Sequence, residues 1–386
     1  MQNLVALFKP FEGQRRSILN IDWVLFLSVV LVSLSGLVTM NSFVGESYFF
    51  GRQTIWLSIS IIIFFVCSFI DWRFLRRTGV VVSLFVFSTL LLLLLMIVGE
   101  AVKGAQSWFQ LGTFAFQPSD PVKLTLIIIL SKYFSRRHIE IAHVRHIVVS
   151  GVYAFILFVL VFLQPDFGSS IILFAIWLGM VLVSGISKRH LLAVVLLAAI
   201  SFGILWSFVF EDYQKQRIVT FIHPLTDIQG AGYNAYQSTI AVGSGQIFGK
   251  GVGYGTQSKL RFLPEYETDF IFAAFAEEWG FVGVTILLTL YGVVLSRILQ
   301  IAIRGASNFE TFFGLGVAIL FISHIIIHIG MNIGLLPVTG TTIPFMSYGG
   351  SHLVTEFAAL GILMGQRKYS RPTHAEAGKN ELVGVN

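Results

Sequence analysis

The chain has 386 residues, of which 55% are hydrophobic and only 12% are charged. Soluble proteins carry roughly 25% charged residues, so this composition excludes a water-soluble globular protein, and with it the disordered, collagen-like and disulfide-stapled classes. The net charge of +6 would raise the question of nucleic acid in a soluble protein, but in a membrane protein the distribution of the basic residues matters more. We expect a membrane, and no nucleic acid, as the partner.

Ten apolar stretches are long enough to cross a bilayer as helices, since a span needs about 20 predominantly apolar residues. They lie at roughly 22–41, 54–70, 79–99, 114–134, 147–163, 168–186, 191–210, 279–297, 310–334 and 349–366. The sequence therefore predicts an all-α polytopic membrane protein with about ten transmembrane helices, forming one membrane domain over residues 22–366.

The distribution of basic residues predicts the orientation, because cytoplasmic segments carry an excess of Lys and Arg. With a cytoplasmic N-terminus, 18 of the 26 Lys and Arg residues lie on inner segments and 8 on outer ones. We expect residues 1–21 and the tail at 367–386 to be cytoplasmic. The longest outer segment, residues 211–278 between spans seven and eight, is expected to carry function, as long loops usually do.

Polar and ionisable side chains gather near the outer ends of several spans, where charge is costly and usually marks function. These residues are Arg52, Gln117, Asp120, Lys123, Asp166, Asp269, Glu277, Glu278 and Glu356. A common polar cavity that opens to the outer leaflet explains them most simply.

The residues that begin span four also have an ordinary interpretation. Ser119 suits the N-cap of a helix, and Asp120 suits its positively charged first turn. Lys123 lies three residues after Asp120 on the same helical face, so it either pairs with that carboxylate or binds an anion.

The other carboxylates leave similar alternatives open. Asp166 follows a proline in a tight turn, where aspartate is common, and Asp269 leads from a polar loop into an apolar helix, as a helix-start carboxylate does. On a continuous helix Glu277 would lie about 80° around from Asp269 and Glu278 about 180° around, so Glu277 shares a cavity with Asp269 more easily.

Two further motifs resemble known sites only superficially. Residues 245–251 resemble a phosphate-binding loop, but the spacing is one residue short and no Ser or Thr follows the lysine. The glycines at alternate positions over 249–255 favour flexibility or close approach to a ligand backbone. His324 and His328 lie one helical turn apart, and buried hydrogen bonding is favoured over metal binding for them.

Several motifs in fixed order resemble the SEDS family, which comprises the RodA, FtsW and SpoVE proteins of bacterial shape, elongation, division and sporulation. The resemblance spans about residues 20–368 and is carried by Gly104-Ala105-Gln106-Ser107-Trp108, Gln117-Pro118-Ser119-Asp120 with Lys123, Gln164-Pro165-Asp166, Gly232-Tyr233-Asn234 with Gln237-Ser238, Leu263-Pro264-Glu265 with Thr268-Asp269-Phe270, and Pro344-Phe345-Met346-Ser347-Tyr348-Gly349-Gly350-Ser351.

This resemblance implies a peptidoglycan glycosyltransferase on the outer face of the bacterial cytoplasmic (inner) membrane. It would polymerise lipid II into β-1,4 glycan strands, release undecaprenyl pyrophosphate, and work with a class B penicillin-binding protein. A RodA-like role in elongation and cell shape is favoured over division, because the N-terminus is short and the tail modest.

The resemblance also assigns site residues. The family's essential carboxylate falls on Asp269, which we expect to be the general base. The family's usual Glu is Asp120 in this chain, and its usual Arg before Trp is Ser107. The substrate-binding residues expected are Arg52, Lys123, Asp120, Asp166, Lys259, Arg261, Glu277 and Ser347.

The chemistry leaves one choice open, because the charge of a departing pyrophosphate is compensated either by Arg and Lys or by a divalent metal. Arg52 and Lys123 are the first pair of candidate cations, with Lys259 and Arg261 as the second. Mg²⁺ or Mn²⁺ held by carboxylates such as Asp269 is the alternative.

Two non-enzymatic functions use the same residues. The protein could be a transporter (flippase) of the lipid-linked precursor, or a membrane scaffold that recruits a transpeptidase. Both predict that purified protein makes no glycan from lipid II.

Overall fold

The computed structural model describes residues 21–42, 47–102, 105–111, 114–136, 144–223, 232–260 and 262–368. The predicted cytoplasmic N-terminus up to residue 20, the tail beyond residue 368 and the predicted site residue Arg261 lie outside the described residues.

Helices account for most of the described chain. They are α1 (Trp23–Asn41), α2 (Ser47–Phe69), α3 (Thr78–Val98), α4 (Ser119–Ser135), α5 (Val144–Phe162), α6 (Phe167–Val183), α7 (Lys188–Phe208), α8 (Asp212–Ile222), α9 (Tyr233–Ser244), α10 (Thr256–Lys259), α11 (Ile271–Ile303), α12 (Asn308–Asn332) and α13 (Gly350–Arg367). Each predicted span corresponds to one long helix, from α1 to α7 and from α11 to α13. The prediction of an all-α polytopic membrane protein is confirmed.

The number of spans stays a prediction. Seven of the described helices are long and apolar enough to cross a membrane by length and composition. The other three long helices, α4, α6 and α13, have 17, 17 and 18 residues, at the lower limit for a span.

The centre of the bundle is formed by α4 and α12, whose residues are mostly buried. Glycines let the surrounding helices approach closely: a Cβ added at Gly361 of α13 would lie 2.7 Å from the Cβ of Cys67 on α2. At the periphery, α7 has no buried residue. Its apolar side chains therefore suit contact with lipid.

A small three-stranded antiparallel sheet precedes α4. Its strands are β1 (Glu100–Val102), β2 (Ala105–Leu111) and β3 (Phe114–Phe116), in the order β1-β2-β3. The predicted start of span four at residue 114 was therefore too early, because Phe114 pairs with Leu111 in the sheet and the helix begins at Ser119. A short apolar run fits a strand and a helix equally well in sequence.

The long segment at 211–278 contains α8, α9, α10 and the first residues of α11. Helix α11 is kinked at Gly280, which has φ 63° and ψ −167°. Backbone groups of residues 245–255, the Gly-rich loop, form hydrogen bonds at this break: Lys250 N donates to Glu277 O at 3.0 Å, and Phe281 N donates to Gln246 O at 2.9 Å. At Gly249 the close approach is to the protein's own backbone, since an added Cβ would clash with Glu278 and Gly280.

Candidate active site

A cavity of about 600 Å³ lies where β2, the N-terminal ends of α4, α6 and α13, helix α8 and the turn before α11 meet. Its lining brings together five predicted site residues from separate parts of the chain, namely Arg52, Asp120, Lys123, Asp166 and Asp269. The expected shared polar cavity therefore agrees with the lining for these residues and Gln117, but Glu277, Glu278 and Glu356 do not line it. The role of each residue stays a prediction.

Asp269 lies at the end of a tight turn that leads into α11. The turn is closed by two backbone hydrogen bonds, from Thr268 N and Phe270 N to the carbonyl of Glu265. Phe270 and Ile271 are buried, whereas Asp269 is half-buried and borders the cavity. A Cβ added at Gly340 would lie 3.6 Å from Asp269 Oδ2, which places the carboxylate beside this glycine.

Asn332, at the end of α12, fixes the backbone of Asp269. Its Nδ2 donates to the carbonyl of Asp269 at 3.0 Å, and its Oδ1 accepts from Ala273 N at 3.1 Å. The side-chain amide thus lies between a donor and an acceptor four residues apart, where a regular helix would join them directly. Ser238 Oγ donates to the Asn332 carbonyl at 2.8 Å, which connects α9 to the same point.

Asp120 and Lys123 form a buried ion pair on the first turn of α4. Lys123 Nζ lies 3.1 Å from Asp120 Oδ1, and the two side chains are 5% and 3% exposed. His352 Nδ1 lies 3.4 Å from the same carboxylate oxygen. Of the two alternatives for Lys123, the structure shows the pairing with Asp120, at a position where the ammonium also lines the cavity.

Asp166 caps α6 and ties its start to the start of α4. Its Oδ1 accepts from Ser169 N at 2.9 Å, and its Oδ2 accepts from Gln117 Nε2 at 2.9 Å and from Ser119 Oγ at 3.3 Å. The predicted N-cap role of Ser119 is wrong, because Pro118 holds the cap position and the Ser119 hydroxyl donates to the half-buried Asp166 carboxylate.

Two arginines from distant elements, Arg52 on α2 and Arg217 on α8, also line the cavity. The Arg52 guanidinium lies 5.1 Å from the centre of the Tyr48 ring.

Tyr348 also borders the cavity. Burial raises the pKa of its phenol, which is therefore protonated and a hydrogen-bond donor at neutral pH.

Three other predicted site residues lie elsewhere. Glu277 is fully buried and accepts from Lys250 Nζ at 2.7 Å and from Thr256 N at 2.9 Å, so it anchors the Gly-rich loop. Lys259 is exposed at the end of α10 and is absent from the cavity lining. Ser347 is buried behind the lining, and its Oγ donates to Thr268 O at 2.8 Å.

The carboxylates at the cavity do not make a metal site among the described residues. No group of three or more His, Cys, Asp and Glu there could hold a metal ion. Both oxygens of Asp166 are already engaged in hydrogen bonds, and Asp120 is paired with Lys123. The described side chains therefore offer no site that would hold a divalent ion by themselves, and Mg²⁺ or Mn²⁺ held by Asp269 together with substrate phosphates stays a prediction.

Sequence reasoning did not single out Asn332, Arg217 or His352. Asn332 ends an apolar helix, and an amide at that place resembles an ordinary helix terminus. The only available signal for His352 was its spacing from Glu356, because residues i and i+4 share a helical face.

The chain is similar in sequence to a known protein family and to several of its members. A family model for FtsW, RodA and SpoVE, described as cell cycle protein, matches residues 16–371. The peptidoglycan glycosyltransferase MrdB of Escherichia coli K12 is 40% identical over 281 residues, which cover 73% of this chain and 76% of MrdB. Stage V sporulation protein E of Bacillus subtilis is 33% identical over 350 residues, 90% of this chain and 94% of that protein.

Solved structures agree with the sequence relatives. A chain of a peptidoglycan synthase complex that coordinates polymerisation and crosslinking is similar with a TM-score of 0.77 and 30% identity, covering 90% of this chain and 97% of that one. The rod shape determining protein RodA of Thermus thermophilus is similar with a TM-score of 0.68 and 29% identity, covering 91% of this chain and 98% of that one.

Proposed function

This chain belongs to the FtsW, RodA and SpoVE family of cell cycle proteins, and from that premise we propose how its cavity makes peptidoglycan. It is a multi-pass membrane peptidoglycan glycosyltransferase that polymerises lipid II into β-1,4 glycan strands and releases undecaprenyl pyrophosphate. The similarity to MrdB and RodA favours a role in elongation and cell shape.

The single observation that carries the mechanism is that Asp269 borders a cavity that is also lined by three cationic side chains. In the reaction, a sugar 4-hydroxyl attacks the anomeric carbon of a chain attached to undecaprenyl pyrophosphate. One displacement with inversion turns the α-linked donor into a β-linked product. The attacking hydroxyl loses its proton, and Asp269 is the carboxylate that we assign as the general base.

The departing diphosphate needs positive charge, because the C–O bond that breaks leaves its electron pair on a phosphate oxygen. Arg52, Lys123 and Arg217 all line the cavity. Arginine binds phosphate oxygens with its planar fork, and lysine acts as a mobile point charge. We assign charge compensation to these three side chains, since no group of three or more His, Cys, Asp and Glu among the described residues could hold a metal ion.

Asp120 and Asp166 have supporting roles in this scheme. Asp120 holds the Lys123 ammonium at 3.1 Å, ready to be released toward an anion. Asp166 joins the starts of α4 and α6 at the edge of the cavity. Substrate contacts by Lys259, Glu277 and Ser347 remain sequence-based proposals, and none of the three residues lines the cavity. The substrate contact proposed for Arg261 falls outside the described residues.

The membrane arrangement follows from the same chemistry. We propose that the protein lies in the bacterial inner membrane with both termini in the cytoplasm and the cavity open to the outer face, where glycan strands are assembled. A class B penicillin-binding protein is the proposed partner, since a structural neighbour belongs to a synthase complex that coordinates polymerisation with crosslinking.

The function is tested with purified full-length protein, together with a class B penicillin-binding protein, and lipid II on the accessible side. The products are separated by length, and an Asp269→Asn preparation serves as the control for a contaminating polymerase. Glycan chains from the wild type alone support the proposal. An absence of glycan, with transport of lipid II across vesicles or recruitment of the transpeptidase intact, would instead support the transporter or the scaffold.

A further inference from the structure

A chain of buried polar side chains adjoins the cavity and connects α4 to α13. Asp120 and Lys123 lie on α4, and His352 and Glu356 lie one turn apart on α13. All four side chains are at least nine-tenths buried, with exposures from 3% to 10%. Groups of this kind are costly at membrane depth, so their presence calls for a function.

The first link in this chain is a shared carboxylate oxygen. Asp120 Oδ1 accepts from Lys123 Nζ at 3.1 Å and lies 3.4 Å from His352 Nδ1. A carboxylate oxygen accepts two hydrogen bonds, so Asp120 keeps a partner even when the flexible Lys123 side chain turns away from it.

The second link runs from His352 to a strained turn. His352 Nε2 lies 2.9 Å from Glu356 Oε1, and Glu356 Oε2 accepts from Phe345 N at 2.8 Å. Phe345 has φ 63°, a left-handed conformation that a bulky residue keeps only when its surroundings hold it. Glu356 therefore contacts both the imidazole and the backbone of this turn.

The third link joins the same turn to the backbone before Asp269. Ser347 Oγ donates to the carbonyl of Thr268 at 2.8 Å, and Tyr348 N donates to the carbonyl of Glu267 at 2.8 Å. One continuous set of contacts thus reaches from the ion pair on α4 to the residue next to the proposed base.

We propose that His352 and Glu356 are positioning residues for glycosyl transfer. His352 retains Asp120 in place while Lys123 turns toward the departing diphosphate. Glu356 holds both His352 and the turn that supports Asp269. This inference rests on the proposed function, because it assigns the two residues to the same reaction.

Asparagine and glutamine separate the two contacts of the imidazole, since the Asn amide nitrogen falls near the position of Nδ1 and the Gln amide nitrogen near that of Nε2. His352→Gln loses the contact with Asp120, and we expect kcat for lipid II to fall about 10- to 100-fold, as for a lost hydrogen bond to a charged group. His352→Asn keeps that contact and stays within about threefold of the wild type, and KM changes by less than about threefold in both variants.

The matched control is His328→Asn. His328 is also buried on a helix, and its Nδ1 donates to Thr341 O at 2.7 Å, but it lies outside the cavity lining. This variant keeps wild-type kcat. Equal kcat for His352→Gln and His352→Asn, at equal amounts of folded protein, would overturn the inference for His352.

Two further measurements keep the inference testable if a variant folds poorly. Asp120→Asn combined with His352→Gln is expected to cost no more than the larger single change, and a fully multiplicative loss contradicts the shared link. Glu356→Gln keeps an acceptor for Phe345 N and retains activity, whereas Glu356→Leu loses about 10- to 100-fold in kcat. Equal activity of the two Glu356 variants contradicts the role of Glu356.

Different results would contradict the proposed function and the positioning role of His352. If the wild type makes no glycan from lipid II, the proposed function is wrong. If the wild type makes glycan and His352→Gln matches its kcat, only the positioning inference is wrong.

Discussion

Replacing Asn332 by leucine removes the amide that joins the two ends of the first α11 turn. The side chain is fully buried, and the change keeps its approximate size while deleting the bonds to the Asp269 carbonyl at 3.0 Å and from Ala273 N at 3.1 Å. Each buried polar group left without a partner costs about 1–3 kcal/mol, so the two groups together cost about 2–6 kcal/mol.

The activity effect of Asn332→Leu follows from the same bonds. Because the Asp269 backbone loses its anchor, the carboxylate shifts relative to the cavity, and a displacement near 1 Å costs about 100-fold in rate. We expect kcat for lipid II to fall by about that factor, with a smaller change in KM. The assay is glycan synthesis by full-length protein, with the midpoint of thermal unfolding in detergent measured in parallel.

Ser238→Ala is the matched control for this variant. It removes the hydrogen bonds to the Asn332 carbonyl at 2.8 Å and to Asn332 Oδ1 at 3.4 Å but leaves both amide bonds to the Asp269 turn in place. It is expected to lower stability by about 1 kcal/mol and to keep near-wild-type kcat. Wild-type activity and stability of Asn332→Leu would refute the view that this amide positions Asp269.

Three more outcomes are expected. Gly280→Ala yields little folded protein, because its Cβ would lie 2.2 Å from Gly249 N at a positive φ, whereas Gly292→Ala, with nothing within 4 Å, folds normally in size-exclusion chromatography. Lys123→Met lowers kcat about 100-fold or more through loss of charge at the diphosphate, while Lys188→Met, exposed at the start of α7 and outside the cavity lining, leaves it unchanged in the lipid II assay. Glycan synthesis persists in EDTA, since side chains compensate the diphosphate charge; loss in EDTA that Mg²⁺ or Mn²⁺ restores would assign that role to a metal.

The fold class and the family could be predicted from sequence, and both predictions are confirmed. Long apolar runs predicted the helices because a spanning segment has few ways to satisfy its backbone other than a helix. The same signal misplaced the start of α4, since hydropathy does not separate Phe114–Phe116 in a strand from the first turn of a helix.

The cavity was predictable in part, for physical reasons that differ between residues. Charges at the ends of apolar runs drew attention to Asp120, Asp166 and Asp269, which do share one lining. Glu277 would share the cavity if one helix ran continuously from Asp269, but α11 begins at Ile271 and the Gly-rich loop binds this carboxylate. Such loop contacts depend on long-range packing, which a local pattern does not contain.

Asn332 and His352 were not predicted as site residues, because their roles also depend on long-range contacts. Each is a polar residue on a mostly apolar helix, and its importance comes from partners far along the chain, at Asp269 and Asp120 respectively. The local sequence around Asn332 does not indicate that its amide hydrogen-bonds to the backbone at the start of α11.

The most direct test of the account separates binding from chemistry at Asp269. Lipid II binding and the single-turnover rate of polymerisation are measured for the wild type and Asp269→Asn under saturating substrate. If Asp269 is the general base, the variant binds lipid II within about threefold of the wild type and its chemical rate falls about 100- to 10,000-fold. A variant that polymerises at the wild-type rate would contradict the central claim.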